Sequence, residues 1–247
     1  MDKPVSDDAE SGPIHSLLEH ASLFALPVML GVLFYITHDA LHARGAAWSL
    51  WFAVPCALLL GDFFTGLVHW FCDTYGSENT PVLGRSIILH FRLHHVNPLS
   101  IREHGLVATN GNSAILGVVV ITIALGITIT WGKESVLLAW GMAVMTFASV
   151  VAGAANQVHK WAHSEDNGPV IRFLQKHSLL LNAKHHEEHH VYPHDRNYCI
   201  SLGWMDWPLE KIDFWRRSER LLLRLGVRPG IDISARRPSN AKRKAAG

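Results

Sequence analysis

Cysteine is scarce in this chain, and what little there is excludes two classes. Cys56, Cys72 and Cys199 are scattered, and no two form a C-x-x-C pair. Neither a disulfide framework nor a zinc knuckle is expected. Excess charge of either sign is also missing. The 22 Lys and Arg against 21 Asp and Glu leave a net charge of +1, without the basic footprint of a nucleic-acid binder. No internal repeat, haem-attachment motif or flavin-binding motif is visible. Met1–Ser11 is acidic and polar, so the positive region that precedes the apolar stretch of a cleavable signal peptide is absent.

Apolar residues make up 49% of the chain, an ordinary globular share, but they are gathered into runs. These are Ala21–Thr37, Ala46–Leu60 (continuing to Phe71), Ser113–Trp131 and Val136–Ala155. The last two match the roughly 20 residues that cross a hydrocarbon core. The first two are weaker, interrupted by Pro27 and by Pro55 and Asp62, and a buried or interfacial helix is the alternative for each. The pattern predicts an all-α integral membrane protein with four spans. A polar segment is expected over 1–20, a membrane domain over 21–228, and a basic disordered tail over 229–247, where Arg236, Arg237, Lys242, Arg243 and Lys244 cluster. Short helices are expected over 84–96 and 170–181.

Histidine is what the chain has in abundance, 17 in all. His185-His186-Glu187-Glu188-His189-His190 places four imidazoles in six residues. On a helix, His185 and His189, His186 and His190, and His186 and His189 share faces. His69-x3-Asp73, His94-His95, His104 and His159-x3-His163 precede this run, and His194 follows. With four crossings all of these fall on one side of the bilayer; with three they are divided. That side carries nearly all the Lys and Arg and is expected to be cytoplasmic. One metal needs about four ligands, so more than ten candidates point to two. Imidazole suits Zn, Cu, Fe or Ni. Adjacent His94 and His95 point apart and can serve two metals, or one metal and one structural bond. Asp62 either orients a ligating imidazole or makes a helix-packing hydrogen bond. His90 completes a His-x3-His-His pattern with His94 and His95, whereas His15, His20, His38, His42 and His177 read as surface histidines.

The order of motifs resembles the plasmanylethanolamine desaturase family. The carrying residues are Gly66–Trp70 with Asp73–Ser77, Phe91–His95 with Pro98, His104 with Thr109–Gly111, and Asn156–His163. They continue with Lys184–His194, Cys199-Ile200, Gly203-Trp204, and Pro208–Ile212 with Phe214–Arg217. The resemblance implies an oxygen-dependent di-iron membrane desaturase acting on the sn-1 alkyl chain of 1-O-alkyl ethanolamine phospholipids. It implies a metal shell of His69, His94, His95, His104, His159, His163, His185, His186, His189 and His190. Asp62, Asp73, Asn156 and His194 are implied as further ligands or supports. Two Fe ions are the implied cofactor, O2 the co-substrate, and an external cytochrome b5-like or ferredoxin-like carrier the electron donor. A bacterial inner membrane and an endoplasmic reticulum membrane both fit. An acyl-lipid desaturase or hydroxylase uses the same ligand boxes. A zinc hydrolase fits less well, because His186-Glu187-Glu188-His189 is one residue short of H-E-x-x-H. A metal carrier and a bis-histidine haem protein are the remaining alternatives.

Overall fold

A computed structural model describes residues 12–132, 134–234 and 236. Within them the fold is helical, with no strand. Four stretches are long and apolar enough to cross a membrane: Pro13–His42, Ala47–Thr74, Leu106–Trp131 and Val136–Ala162. The expected count of four therefore holds, and each weak candidate is longer than its apolar run. The first helix, α1 (Pro13–His42), starts inside the segment expected to be polar and separate. Pro13 occupies its first turn, where a missing N–H costs nothing.

The chain divides into two compact units, the first drawn from Met1–Gly61 and Glu103–Gln157, the second from Asp62–Arg102 and Val158–Gly247. In the first unit, α1 packs against α4 (Leu106–Trp131) and α5 (Val136–Gly153). Leu26 and Leu33 meet Ala114, Ile121 and Ala124, and Ala40 and Leu41 meet Ala139. Ala53 and Ala57, near the start of α2 (Leu50–Thr74), meet Val144 and Ala148. Small residues at these crossings let the backbones approach, as membrane helices do. A Cβ on Gly111 would lie 2.7 Å from that of Glu19. Only 22–33% of each candidate span is buried, which leaves the broad apolar faces a bilayer requires. Thr37, Thr128 and Thr146 donate their hydroxyls to carbonyls one turn back, so these three buried side chains keep their hydrogen bonds within their own helices.

The second unit takes the end of α2, then α3 (Leu89–Val96), α6 (Ala155–Ala162) from Val158 onward, α7 (Pro169–Lys176), α8 (Ala183–Glu187), α9 (Asp206–Lys211) and α10 (Phe214–Arg224). A π turn over Gly84–Ile88 leads into α3. The core is aromatic: Trp70, Tyr75, Tyr198 and Trp215 with Cys199 and Leu209. Trp215 lies 5.5 Å from Trp70 and 5.0 Å from Tyr198 between ring centroids. The expected tail boundary at 229 does not end the packing. The Gly230 N–H donates to the Thr74 carbonyl at 2.8 Å, and Arg236 is buried against Glu219. The rest of that tail, Arg237 onward, lies outside the described residues, as does the acidic Met1–Ser11 segment.

Candidate metal centre

The second unit gathers eight histidines and one aspartate into two adjoining groups. His94, His159, His163, His186 and His190 form one; His69, Asp73, His95 and His189 form the other. In each, one ligand-type atom per residue lies within 4.8 Å of every other. Helical spacing supplies the pairs. His69 and Asp73 sit one turn apart at the end of α2, and His159 lies within α6 one turn before His163, which directly follows its end. His94 and His95 project to different sides of α3, so one enters each group. The groups adjoin closely, with His95 and His190 ring centroids 5.1 Å apart and His186 and His189 5.7 Å apart.

The histidine-rich run is less helical than its spacing predicts. α8 begins at Asn182, whose side chain accepts the Lys184 and His185 N–H groups, and ends at Glu187. His189 and His190 follow in a turn. His186 and His190 still face each other, Nε2 to Nε2 at 3.0 Å, but His189 joins the other group. The His186-x-x-His189 pair is therefore split between groups, unlike the shared pair of a zinc hydrolase.

Both groups fit a cation. His163 Nε2 lies 3.0 Å from Nε2 of His94, 3.0 Å from that of His186 and 3.2 Å from that of His159. A neutral imidazole nitrogen carries one hydrogen or one lone pair, so it cannot satisfy three such neighbours by hydrogen bonding. In the other group, Asp73 Oδ2 lies 3.3 Å from His69 Nε2, 3.1 Å from His95 Nε2 and 3.4 Å from His189 Nε2. The rings of His69 and His189 are committed at their far side. His69 Nδ1 donates to the Tyr198 carbonyl at 3.0 Å, and His189 Nδ1 to the Arg196 carbonyl at 2.7 Å. Their Nε2 lone pairs then face a carboxylate oxygen, a repulsive arrangement that a shared cation converts to ligation. Asp73 Oδ1 and His69 Nε2 are buried without hydrogen-bond partners.

Burial keeps His94, His163, His186 and His190 neutral, the form that binds metal. Desolvation, then the neighbouring imidazoles led by His163, lowers His94 to about 2. Burial, then His189 and His95, lowers His163 to about 4. His186 and His190 are pushed down for the same reasons.

The remaining five expected residues lie outside both groups. His185 belongs to neither group: its Nε2 lies 2.8 Å from Asp206 Oδ2, a bond that raises its pKa, and Asp206 Oδ1 accepts the Cys199 N–H. His104 also belongs to neither group and lies in the first unit, just ahead of α4. Asp62 meets backbone rather than an imidazole. Its Oδ1 accepts the N–H groups of Leu202 at 2.7 Å and Gly203 at 3.0 Å, and its Oδ2 accepts that of Met205 at 2.9 Å. Asn156 staples helices in the first unit, donating to the Thr109 carbonyl and Ser113 Oγ. His194 lies beside the second group, its ring 4.3 Å from that of His95 and its Nδ1 bonded to the His189 carbonyl.

The sequence carried no sign of what holds the centre from behind, because backbone carbonyls are invisible in a residue pattern. Close approach is one clue it did carry. A Cβ on Gly66 would lie 2.6 Å from Cys199 Sγ, so glycine lets α2 press against the chain at Cys199.

The comparisons with known proteins agree with this geometry. The lipid desaturase domain matches residues 58–232. The plasmanylethanolamine desaturase of Myxococcus xanthus is 40% identical over 175 residues, covering 71% of this chain and 61% of that protein. Plasmanylethanolamine desaturase 1 of Mus musculus is 36% identical over 72% of this chain and 67% of its own length. Chloroplastic fatty acid desaturase 4 of Arabidopsis thaliana is 32% identical over 69% of this chain and 51% of its own. The chain thus spans about two thirds or less of the length of these relatives. No solved structure matches it. With the matched domain covering both ligand groups, the chain belongs to the lipid desaturase family.

Proposed function

We propose that this chain is a di-iron, oxygen-dependent desaturase that forms the vinyl-ether double bond in the sn-1 alkyl chain of 1-O-alkyl ethanolamine phospholipids. The observation that carries this reading is the pair of adjoining, largely buried ligand groups, five imidazoles beside three imidazoles and a carboxylate. The two relatives named plasmanylethanolamine desaturase, at 40% and 36% identity, favour the ether substrate over the acyl one. In this reading His94, His159, His163, His186 and His190 hold one iron, and His69, Asp73, His95 and His189 the other. His104 and His185, expected among the ligands, are left out because neither joins a group.

Unactivated C–H bonds are beyond any side chain, so the bound irons with O2 supply the oxidant. The balance is fixed: O2 takes two electrons and two protons with the two alkyl hydrogens, leaving two waters and one C=C bond. The second electron pair comes from an external cytochrome b5-like or ferredoxin-like carrier on the cytoplasmic side. The protein's residues keep the imidazoles of the first group neutral, orient the nitrogens of His69 and His189 and keep bulk water from both of these fully buried rings.

The test is lipid mass spectrometry on a plasmalogen-free host that expresses the chain and is fed a 1-O-alkyl lipid. An acid-labile product two hydrogens lighter is expected, and it should vanish in His186→Ala. A new double bond in acyl chains with the alkyl lipid unchanged would replace this reading with an acyl-lipid desaturase, as the Arabidopsis relative's name suggests.

A further inference from the structure

The two ligand groups differ in how they are supported. In the His69 group, two rings are held from behind by carbonyls of one loop, residues 194–198. The third imidazole of that group, His95, has a buried Nδ1 without a hydrogen-bond partner, and in the other group the Nδ1 atoms of His186 and His190 are likewise without one. The loop turns sharply at His194 and Asn197, which both have positive φ, 53° and 56°, a region that His and Asn enter more readily than most residues. Its position against the rest of the unit is set by side chains.

Arg216, on α10, is one of them. Its Nη2 donates to the Asp195 carbonyl at 2.8 Å and to Asp195 Oδ2 at 2.6 Å. Its Nη1 donates to both oxygens of Glu219, at 3.1 and 3.2 Å. Glu219 is 4% exposed and also accepts from Arg236 and, at 3.4 Å, from Trp70 Nε1. Arg236 continues to Thr74 Oγ1 at 3.0 Å. Trp70 follows His69 and Thr74 follows Asp73, so the network grips α2 beside two members of the same group. The circuit closes: α2 to Glu219 and Arg236, to Arg216, to Asp195, to the 194–198 loop, and through its carbonyls to His69 and His189. Two carboxylates and two guanidiniums make it neutral, as a buried ionic network must be.

We propose that Arg216 and Glu219 are positioning residues for one metal of the pair, holding the 194–198 loop so that its carbonyls aim His69 and His189. The inference rests on the reading of the two groups as metal sites. Outer partners of this kind change metal affinity 10- to 100-fold in known sites. The effect should therefore be selective, whereas general loosening of the fold would weaken both metals alike.

The experiment is iron content per chain during chelator titration of the purified full chain, reconstituted with ferrous iron alone, for the parent, Arg216→Gln and Asp195→Asn. Asp195→Asn keeps the backbone carbonyl contact and serves if Arg216→Gln does not fold. The parent should release two irons. In the variants one iron should leave at roughly 10- to 100-fold lower chelator while the other is released as in the parent. Mössbauer spectra should show one of two iron environments lost first. Parent-like release of both irons, or equal weakening of both, overturns the proposal. A parent that binds no iron refutes the metal reading itself, and the proposal with it.

Discussion

Asp62 is the sharpest place to test how the site is built. Both of its oxygens are taken by backbone N–H groups of the 202–205 turn, three bonds of 2.7–3.0 Å, and the residue is 0% exposed. A hydrogen bond to a charged group contributes about 1.5–3 kcal/mol, so three amount to roughly 4–9 kcal/mol. Removing the carboxylate also removes the cost of keeping a charge out of water, which brings the expected net loss for Asp62→Ala to about 3–5 kcal/mol. That is a large part of the 5–15 kcal/mol of a typical domain. Asp62→Asn is a finer probe. One oxygen still accepts from Leu202 and Gly203, but the new amide meets the Met205 N–H donor to donor, for a loss of roughly 2 kcal/mol. Thermal unfolding of the metal-free chain in detergent should rank parent, Asn, Ala, with metal content per folded chain unchanged in the Asn variant. Asp62→Ala unfolding at the parent's temperature would refute the account. Loss of iron in Asp62→Asn without loss of stability would revive the imidazole-orienting role expected from the sequence.

His185 and His186 are neighbours with opposite expected roles. His186→Ala should lose iron, whereas His185→Ala should keep the parent's iron content and lose about 1–3 kcal/mol of stability, because Asp206 Oδ2 is left without the imidazole; iron loss in His185→Ala would restore it to the ligand set. The metal-free chain should also be acid-sensitive. His163 is lowered to about 4 in the fold against about 6.5 unfolded. A group held neutral this way favours the folded state above pH 6.5, and that advantage is lost as pH falls toward 4, since the unfolded chain takes up the proton first. The loss is about 2.5 kcal/mol between pH 7.5 and 4.5. Unfolding midpoints for parent and His163→Gln should converge over that window, and parallel curves would contradict the burial argument.

Much of this was legible in the residues. Helical periodicity placed His69 with Asp73 and His159 with His163, because i,i+4 neighbours share a face wherever the helix lies. Adjacency alone separated His94 from His95, since successive residues on a helix point apart. Four apolar runs gave four spans, because length and hydropathy decide what can cross a bilayer. The ends of elements were less legible. The helix at 183 stops at Glu187 rather than carrying on through His190, and the first span starts at Pro13 rather than Ala21.

The sequence by itself determined the chemistry available: many imidazoles, no thiolate pair, a membrane setting and one dominant histidine run. Only the tertiary structure decided which imidazoles gather in each group, that His185 lies in neither, and what Asp62 and Arg216 touch. The reason is physical. A ligand is defined by where its lone pair points, and that direction is fixed by partners distant in the chain. Tyr198 holds His69 across 129 positions, and Arg236 reaches Thr74 across 162. Periodicity within one helix carries no record of such contacts.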